Sequence, residues 1–318
     1  MHPTEELYLA CHQTLLMYYF KSRIKIKQPI DAVYCTALES ISRIYDGSIV
    51  KRQSRFHYTN EMLLGELPRL GIHVKLLQGT SYTHLRQPIL ELLEQGKEVF
   101  LFVDEYYLPY SLQFQKEHLH HSHMLTGYEY HADESLIFHV IDNVGAHIKE
   151  QTCPESILQC AFEALQQDSI SYFEWEESEG VSWERAYFMD RLQQALISYE
   201  DNYELFYGLT EMTEASWAEM LHSEQDLACY GHAFGLLAGS RFCFLLALRA
   251  LGCDGQREID LLMKASDEAR VIMFLFNKAL FSRKLNRERI QGACHQILKF
   301  NEELLNGLRE TCGAGRML

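Results

Sequence analysis

Two textures divide this chain of 318 residues. Up to about residue 145, short apolar runs bounded by turn residues alternate with helical periods. Beyond that point nearly every window repeats its apolar residues at helical spacing. One packed layer cannot follow both periods. The sequence therefore predicts an α+β protein, with a sheet-containing domain over 1–152 followed by an all-helical domain over 153–318. In the first part, strands are expected at 23–27, 72–77, 98–103, 123–128 and 136–141. Helices are expected at 9–20, 31–44, 60–70 and 81–95, with Gly71 and Gly96 as stops and 143–145 closing the run. The second part reads as helices at 155–166, 183–199, 211–221, 227–251, 258–282 and 287–308. The stretch 227–251 is the most apolar, but His232, Arg241 and Arg249 interrupt it, which marks a buried helix rather than a membrane span. Glu174, Glu176, Glu177 and Glu179 around Trp175 read as a solvated linker.

Charge and cysteine usage narrow the classes. The net charge is −15, with 14 basic against 18 acidic residues in 1–150 and 15 against 26 beyond. A chain this acidic lacks the basic face that nucleic-acid phosphates require. Within it, Lys21, Arg23, Lys25, Lys27, Arg43, Lys51, Arg52 and Arg55 form a basic island, read either as a solvated face or as a dock for an acidic partner. The nine cysteines are odd in number and show no CxxC spacing, which disfavours a disulfide framework or a structural zinc site and fits reduced thiols of a cytoplasmic protein. Glu5 and Glu6 stand where a signal peptide would carry Lys or Arg.

The densest chemistry lies at His118, His120, His121 and His123, leading to Gly127. Four imidazoles in six residues suggest a metal. In an extended strand, however, His121 and His123 share one face and His120 takes the other, and no HExxH or His-plus-carboxylate pattern completes a ligand set, so no metal is expected. The alternative is a base: His121 opens a strand, and a hairpin returns to a strand ending in Asp142, which would orient the imidazole. A thiol is the natural nucleophile beside it. Cys11 and Cys35 each precede a helical run, where the helix dipole favours a thiolate.

Three segments carry a family resemblance: 7–16 around Cys11, the stretch 96–110 ending Asp104-Glu105-Tyr106-Tyr107-Leu108-Pro109-Tyr110, and 114–129 continuing to Asp142. Together they resemble the N-terminal domain of the butirosin biosynthesis protein H family of aminoglycoside acyltransferases, across roughly 5–145. The resemblance implies a papain-like cysteine fold related to bacteriocin-processing peptidases. It also implies a Cys-His-Asp site that takes an acyl group from an acyl-carrier-protein thioester and passes it to an amine. By position Cys11, His121 and Asp142 match. Cys35 stays open as the alternative nucleophile, with Gln28 seven residues upstream.

The expected function is thus acyl transfer in specialised, antibiotic-type metabolism. Substrate contacts are expected from Gln13 at an oxyanion site, from Tyr106, Tyr107 and Tyr110, and from Glu117 and His118 at the acceptor. Asp104 or Glu105 would hold a second ammonium. No resident cofactor is expected, the donor riding on a phosphopantetheine thioester. Expected partners are an acyl or peptidyl carrier protein and a small amine or peptide acceptor, with no membrane and with homodimerisation open. The same triad would serve a cysteine peptidase, amidase or thioesterase, and a non-catalytic carrier- or peptide-binding protein is the remaining alternative.

Overall fold

A computed structural model describes residues 1–53, 62–144, 147–175, 183–253 and 255–313. The elements of the first half are α1 (Cys11–Tyr18), α2 (Ile41–Tyr45), α3 (Met62–Glu66), β1 (Ile72–Gln78), α4 (Tyr82–Glu94), β2 (Val99–Asp104), β3 (His120–Tyr130) and β4 (Leu136–Val144). There follow β5 (His147–Pro154), α5 (Glu155–Glu163), β6 (Ser169–Trp175), α6 (Arg185–Ile197), α7 (Glu204–Thr210), α8 (Glu214–His222), α9 (Glu224–Ala250), α10 (Gln256–Ser282) and α11 (Arg287–Gly313). The six strands form one antiparallel sheet in the order β1-β6-β2-β3-β4-β5, and the C-terminal region is helical. The protein is therefore α+β.

The chain gathers into two compact units. The first contains residues 11–26 and 64–183, the second residues 2–10, 27–63 and 184–318.

In the first unit β2 is apolar on both faces from Val99 to Val103, which suits an interior strand. Val99, Leu101 and Val103 pack with Leu125, Phe138 and Val140 beneath Leu85, Ile89 and Leu93 of α4 and Leu158 and Phe162 of α5. The opposite face carries Phe100, which meets Tyr19 at 5.3 Å and Phe173 at 5.2 Å between ring centroids. Each such buried aromatic contributes about 1.5–3 kcal/mol. Gly71 and Gly96 adopt positive φ where the helical turns before β1 and β2 end, as the sequence suggests. Strands β5 and β6 differ from expectation. β5 is an edge strand bearing Lys149, Glu150 and Gln151, so it lacks the apolar alternation that marks a strand. The 23–27 segment is a π turn (Tyr19–Arg23) followed by Lys25 at positive φ, not a strand.

In the second unit α9 is long and apolar enough to cross a membrane, yet most of its apolar window is buried against protein. Gly239 lets the N-terminal segment approach: a Cβ there would stand 2.7 Å from the Tyr8 backbone nitrogen. Beside it Arg241, fully buried, donates to the Glu39 carbonyl at 2.6 Å, Asn301 Oδ1 at 3.1 Å and the Tyr199 hydroxyl at 3.3 Å. The expected helix over 31–44 is instead a 3-10 turn (Ile30–Tyr34) followed, after a break, by the short α2. Arg55, Gly145, Glu176, Glu177 and Glu179 lie outside the described residues.

Candidate active site

The groups that can exchange protons converge where α1 begins and β3 and β4 pair, all within the first unit. Cys11 is the first residue of α1, and its thiol is set beside His121. Burial pushes this thiol's pKa up. The hydrogen bond and positive charge of His121, with backbone N–H groups of Ser122 and His12, outweigh burial and leave it below the usual thiol value. The next residue along each element makes a second tie: His12 Nδ1 lies 2.9 Å from Ser122 Oγ. Burial pulls the His12 pKa down to about 4, so its ring is neutral near pH 7 and packs at 5.1 Å from Phe102. The 12–122 bond therefore fixes the 11–121 pair.

His121 is 7% exposed, and its Nε2 stands 2.5 Å from Asp142 Oδ1. With Nε2 turned to Asp142, Nδ1 is the ring nitrogen left to face both the thiol side and Glu105. Burial lowers the His121 pKa, but the bonds to Asp142 and Cys11 more than offset it and push it up to about 10. Asp142 is raised by burial and lowered further by His121 and His123, ending well below the usual carboxylate range. Its second oxygen accepts from Gln151 Nε2 at 3.0 Å, across the β4–β5 pairing. The shifts run toward a thiolate, an imidazolium and a carboxylate in line.

His123 is a second imidazole on the same face. It pairs with Asp142 in the strand register, and its Nε2 lies 3.6 Å from Asp142 Oδ2. It is fully buried, and neither ring nitrogen has a hydrogen-bond partner. Burial pushes its pKa below the usual imidazole value. His121, His123 and Asp142 offer ligand atoms within 4.8 Å of one another. The 2.5 Å contact between His121 Nε2 and Asp142 Oδ1 leaves no room for an ion between those two atoms, since two ligands each about 2 Å from a metal sit farther apart.

The remaining candidates separate. Gln13 lies half-buried on the first turn of α1. Asp104 is 2% exposed and committed to its turn: its oxygens accept from the Tyr106 and Leu119 backbone N–H groups at 3.1 and 3.3 Å and face His118 Nδ1 at 2.6 Å. A buried carboxylate so engaged has its oxygens committed, which leaves Glu105 as the other of the two expected candidates for a second ammonium. His118 is exposed and stacks on Tyr106 at 4.2 Å, Tyr107 stands edge-on to Tyr106, and Glu117 is exposed. Tyr110 turns inward, packing against the core near His123 rather than lining a solvent-facing grip. Glu105 is the carboxylate that reaches the site, with Oε1 3.2 Å from His121 Nδ1. Cys35 lies in the second unit, 1% exposed, at the C-terminal end of its 3-10 turn, so it lacks the helix N-terminus expected of it. A cavity of about 820 Å³ in the second unit, beside Trp217, Lys278 and Arg287, contains none of these residues.

Three supports escaped sequence reading: Gln151, Ser122 paired with His12, and His123 as a neighbour of Asp142. Gln151 sits on a strand without apolar alternation. Ser122, between two histidines, gives no signal by itself.

The sequence has relatives. Residues 46–143 match the family described as butirosin biosynthesis protein H, N-terminal. The resemblance read from the sequence holds. The family match contains His121, Asp142 and Glu105 and begins after Cys11 and Cys35. A curated relative extends the likeness over the whole chain: it is 23% identical over 314 residues, covering 97% of this chain and 98% of its own length. That relative, from Niallia circulans, is a transferase acting on ribostamycin and on 4-(gamma-L-glutamylamino)-(S)-2-hydroxybutanoate carried by the BtrI acyl-carrier protein.

Proposed function

We propose that this chain is an acyltransferase of antibiotic-type metabolism, which carries an acyl group from a carrier-protein thioester through Cys11 to an amine. The Cys11 thiol set beside the His121 imidazole at the start of α1, with Asp142 hydrogen-bonded to that imidazole from behind, is the observation that carries this reading. The carrier-protein transferase similar along nearly the full length supports the substrate class. A papain-like arrangement fits a thiol at a helix start facing a strand histidine within an α+β fold.

The chemistry follows from the protonation states. The Cys11 thiolate attacks the thioester carbonyl. The oxyanion is met by the backbone N–H of Cys11, with Gln13 on the same turn. As the C–S bond of the donor breaks, the His121 imidazolium gives its proton to the departing pantetheine sulfur. The acyl group is now a Cys11 thioester and His121 is neutral. An acceptor amine attacks, His121 takes a proton from the attacking nitrogen, and Cys11 leaves as thiolate, restoring the starting pair. No resident cofactor takes part, and the reading is that of a cytoplasmic enzyme meeting a phosphopantetheinylated carrier.

The test uses the BtrI carrier protein loaded with its acyl group and ribostamycin as acceptor. Intact mass of the protein after brief mixing with the donor alone should show one added acyl group, mapped by peptide analysis to Cys11. Adding ribostamycin should discharge it as an amide. Discharge only to the free acid would make the chain a thioesterase. Label on Cys35 would move the nucleophile there.

A further inference from the structure

Resting on that reading, we propose that Glu105 is the acceptor-side catalytic residue: it binds the incoming amine as an ammonium and removes its first proton. The mechanism above leaves a gap at this step. An aliphatic amine is protonated near pH 7 and cannot attack. After acylation His121 is neutral and can take one proton, while two must leave the nitrogen between the free ammonium and the amide.

Glu105 is placed to supply the missing base. It opens the 3-10 turn Glu105–Tyr107 that follows β2, a turn capped by the Asp104 side chain on the Tyr106 N–H. Its backbone N–H donates to the Leu119 carbonyl, which anchors the turn to the chain entering β3. Oε2 accepts from Ser111 Oγ at 2.9 Å, and Oε1 points to His121 Nδ1 at 3.2 Å. The side chain keeps 14% of its surface exposed, so it is held in place yet reachable.

The atom it faces decides the role. An orienting carboxylate belongs on the nitrogen away from the nucleophile, and Asp142 already occupies Nε2. Glu105 stands on Nδ1, the side that handles the proton in both half-reactions. A fixed negative charge there attracts a cation more strongly than it holds neutral water, so it favours aminolysis over hydrolysis. The protons balance. The ammonium gives its first proton to the Glu105 carboxylate. The neutral amine adds to the Cys11 thioester carbonyl, and its second proton passes to His121 Nδ1 as the C–S bond breaks. Cys11 is released as thiolate, the amide departs, and the Glu105 carboxyl returns its proton to solvent.

The test reads a ratio that does not depend on how fast the acyl-enzyme forms. The protein is acetylated with p-nitrophenyl acetate, the site is mapped, and discharge is divided into amide and acetate with n-butylamine, a cation at neutral pH, or hydroxylamine, which is uncharged there. Glu105→Gln should lower the amide-to-acetate ratio about 10- to 100-fold with butylamine and leave it nearly unchanged with hydroxylamine. Ser111→Ala, which keeps the carboxylate but loosens it, should lower the butylamine ratio by a few-fold, and Glu105→Asp should restore part of the loss. Should Glu105→Gln form no acetyl-enzyme, the other two variants decide by the same ratio. An unchanged butylamine ratio, or equal losses with both nucleophiles, overturns the role of Glu105 while leaving the acyl-enzyme intact. Absence of acetylation at Cys11 in the unaltered protein overturns the acyl-enzyme reading and this one with it.

Discussion

Each unit buries charged or titratable groups, and the two burials differ in kind. In the second unit the Arg241 guanidinium ends on fixed acceptors: the Glu39 carbonyl, Asn301 Oδ1, the Tyr199 hydroxyl and Ser240 Oγ. These bonds tie α9, α11 and the segment around residue 39 together, so the network works as a lock. In the first unit a thiol, an imidazole and a carboxylate face one another with pKa values pushed apart, and the neighbouring His123 is left without hydrogen bonds. A buried charge that ends on fixed acceptors holds a fold. Buried polarity whose members can pass a proton is costly to keep and marks a candidate site.

The sharpest test breaks each network at its centre. Cys11→Ala should abolish transfer, a loss of about 10⁴-fold or more in single-turnover rate, while the melting temperature stays close to that of the parent. Arg241→Met should do the reverse. Removing a buried donor that serves several acceptors costs about 3 kcal/mol or more, visible as a lower midpoint in urea, and the residual folded fraction should still acylate at Cys11. A Cys11→Ala protein that melts early, or an Arg241→Met protein that is stable but inert, would erase the distinction between the two networks.

Asp142→Asn comes next, at about 100-fold in rate, because the base survives and its orientation does not. It also alters the pH profile. Activity needs the thiolate and the imidazolium together. It should fall on the acid side as Cys11 becomes protonated, at a pH below the ordinary thiol value. On the alkaline side it should fall as His121 loses its proton, near pH 10 in the parent. Asp142 is a principal cause of the raised His121 value, so its neutral replacement should move the alkaline limb to lower pH. An unmoved limb would mean that some other group holds the imidazolium.

The two regions were also unequally legible. The strands carrying the site were visible because 99–103 and 136–141 are apolar on both faces or bounded by turns, and the His121–Asp142 pairing follows from one short hairpin. The edge strand β5 was not visible, since an edge facing water needs no apolar alternation, and with it went Gln151. Residues 27–45 misled for another reason. Their apolar residues Ile30, Val33, Ile41 and Ile44 are buried as a helix would bury them, but the burial is supplied by packing in the second unit along a 3-10 turn and a short α2. Tertiary contact overrode local period.

Gln151→Ala sharpens the comparison at lower cost. It frees one Asp142 oxygen without touching the His121 bond, so a three- to tenfold drop in rate is expected, about 1 kcal/mol. The melting temperature should hardly change, because edge-strand contacts carry little of the core. A drop as deep as that of Asp142→Asn would show that Gln151, and not the strand pairing, sets the carboxylate.

The smallest effect belongs to the surface. Of the basic residues in 21–52, Arg23 faces Glu98, Arg43 faces Glu39, Lys51 faces Asp46 and Arg52 faces Asp226, so much of the island is answered within the protein. Lys25 and Lys27 are exposed. If they meet an acidic carrier protein, reversing both to Glu should raise the Michaelis constant for a carrier-bound donor about three- to tenfold at low salt. The difference should shrink as salt is added, because exposed charges are screened over about 10 Å at 0.1 M. Acetylation by p-nitrophenyl acetate, which has no carrier, should be unaffected. Equal losses on both donors would mean that the lysines shape the start of the chain, and would leave the carrier to dock elsewhere.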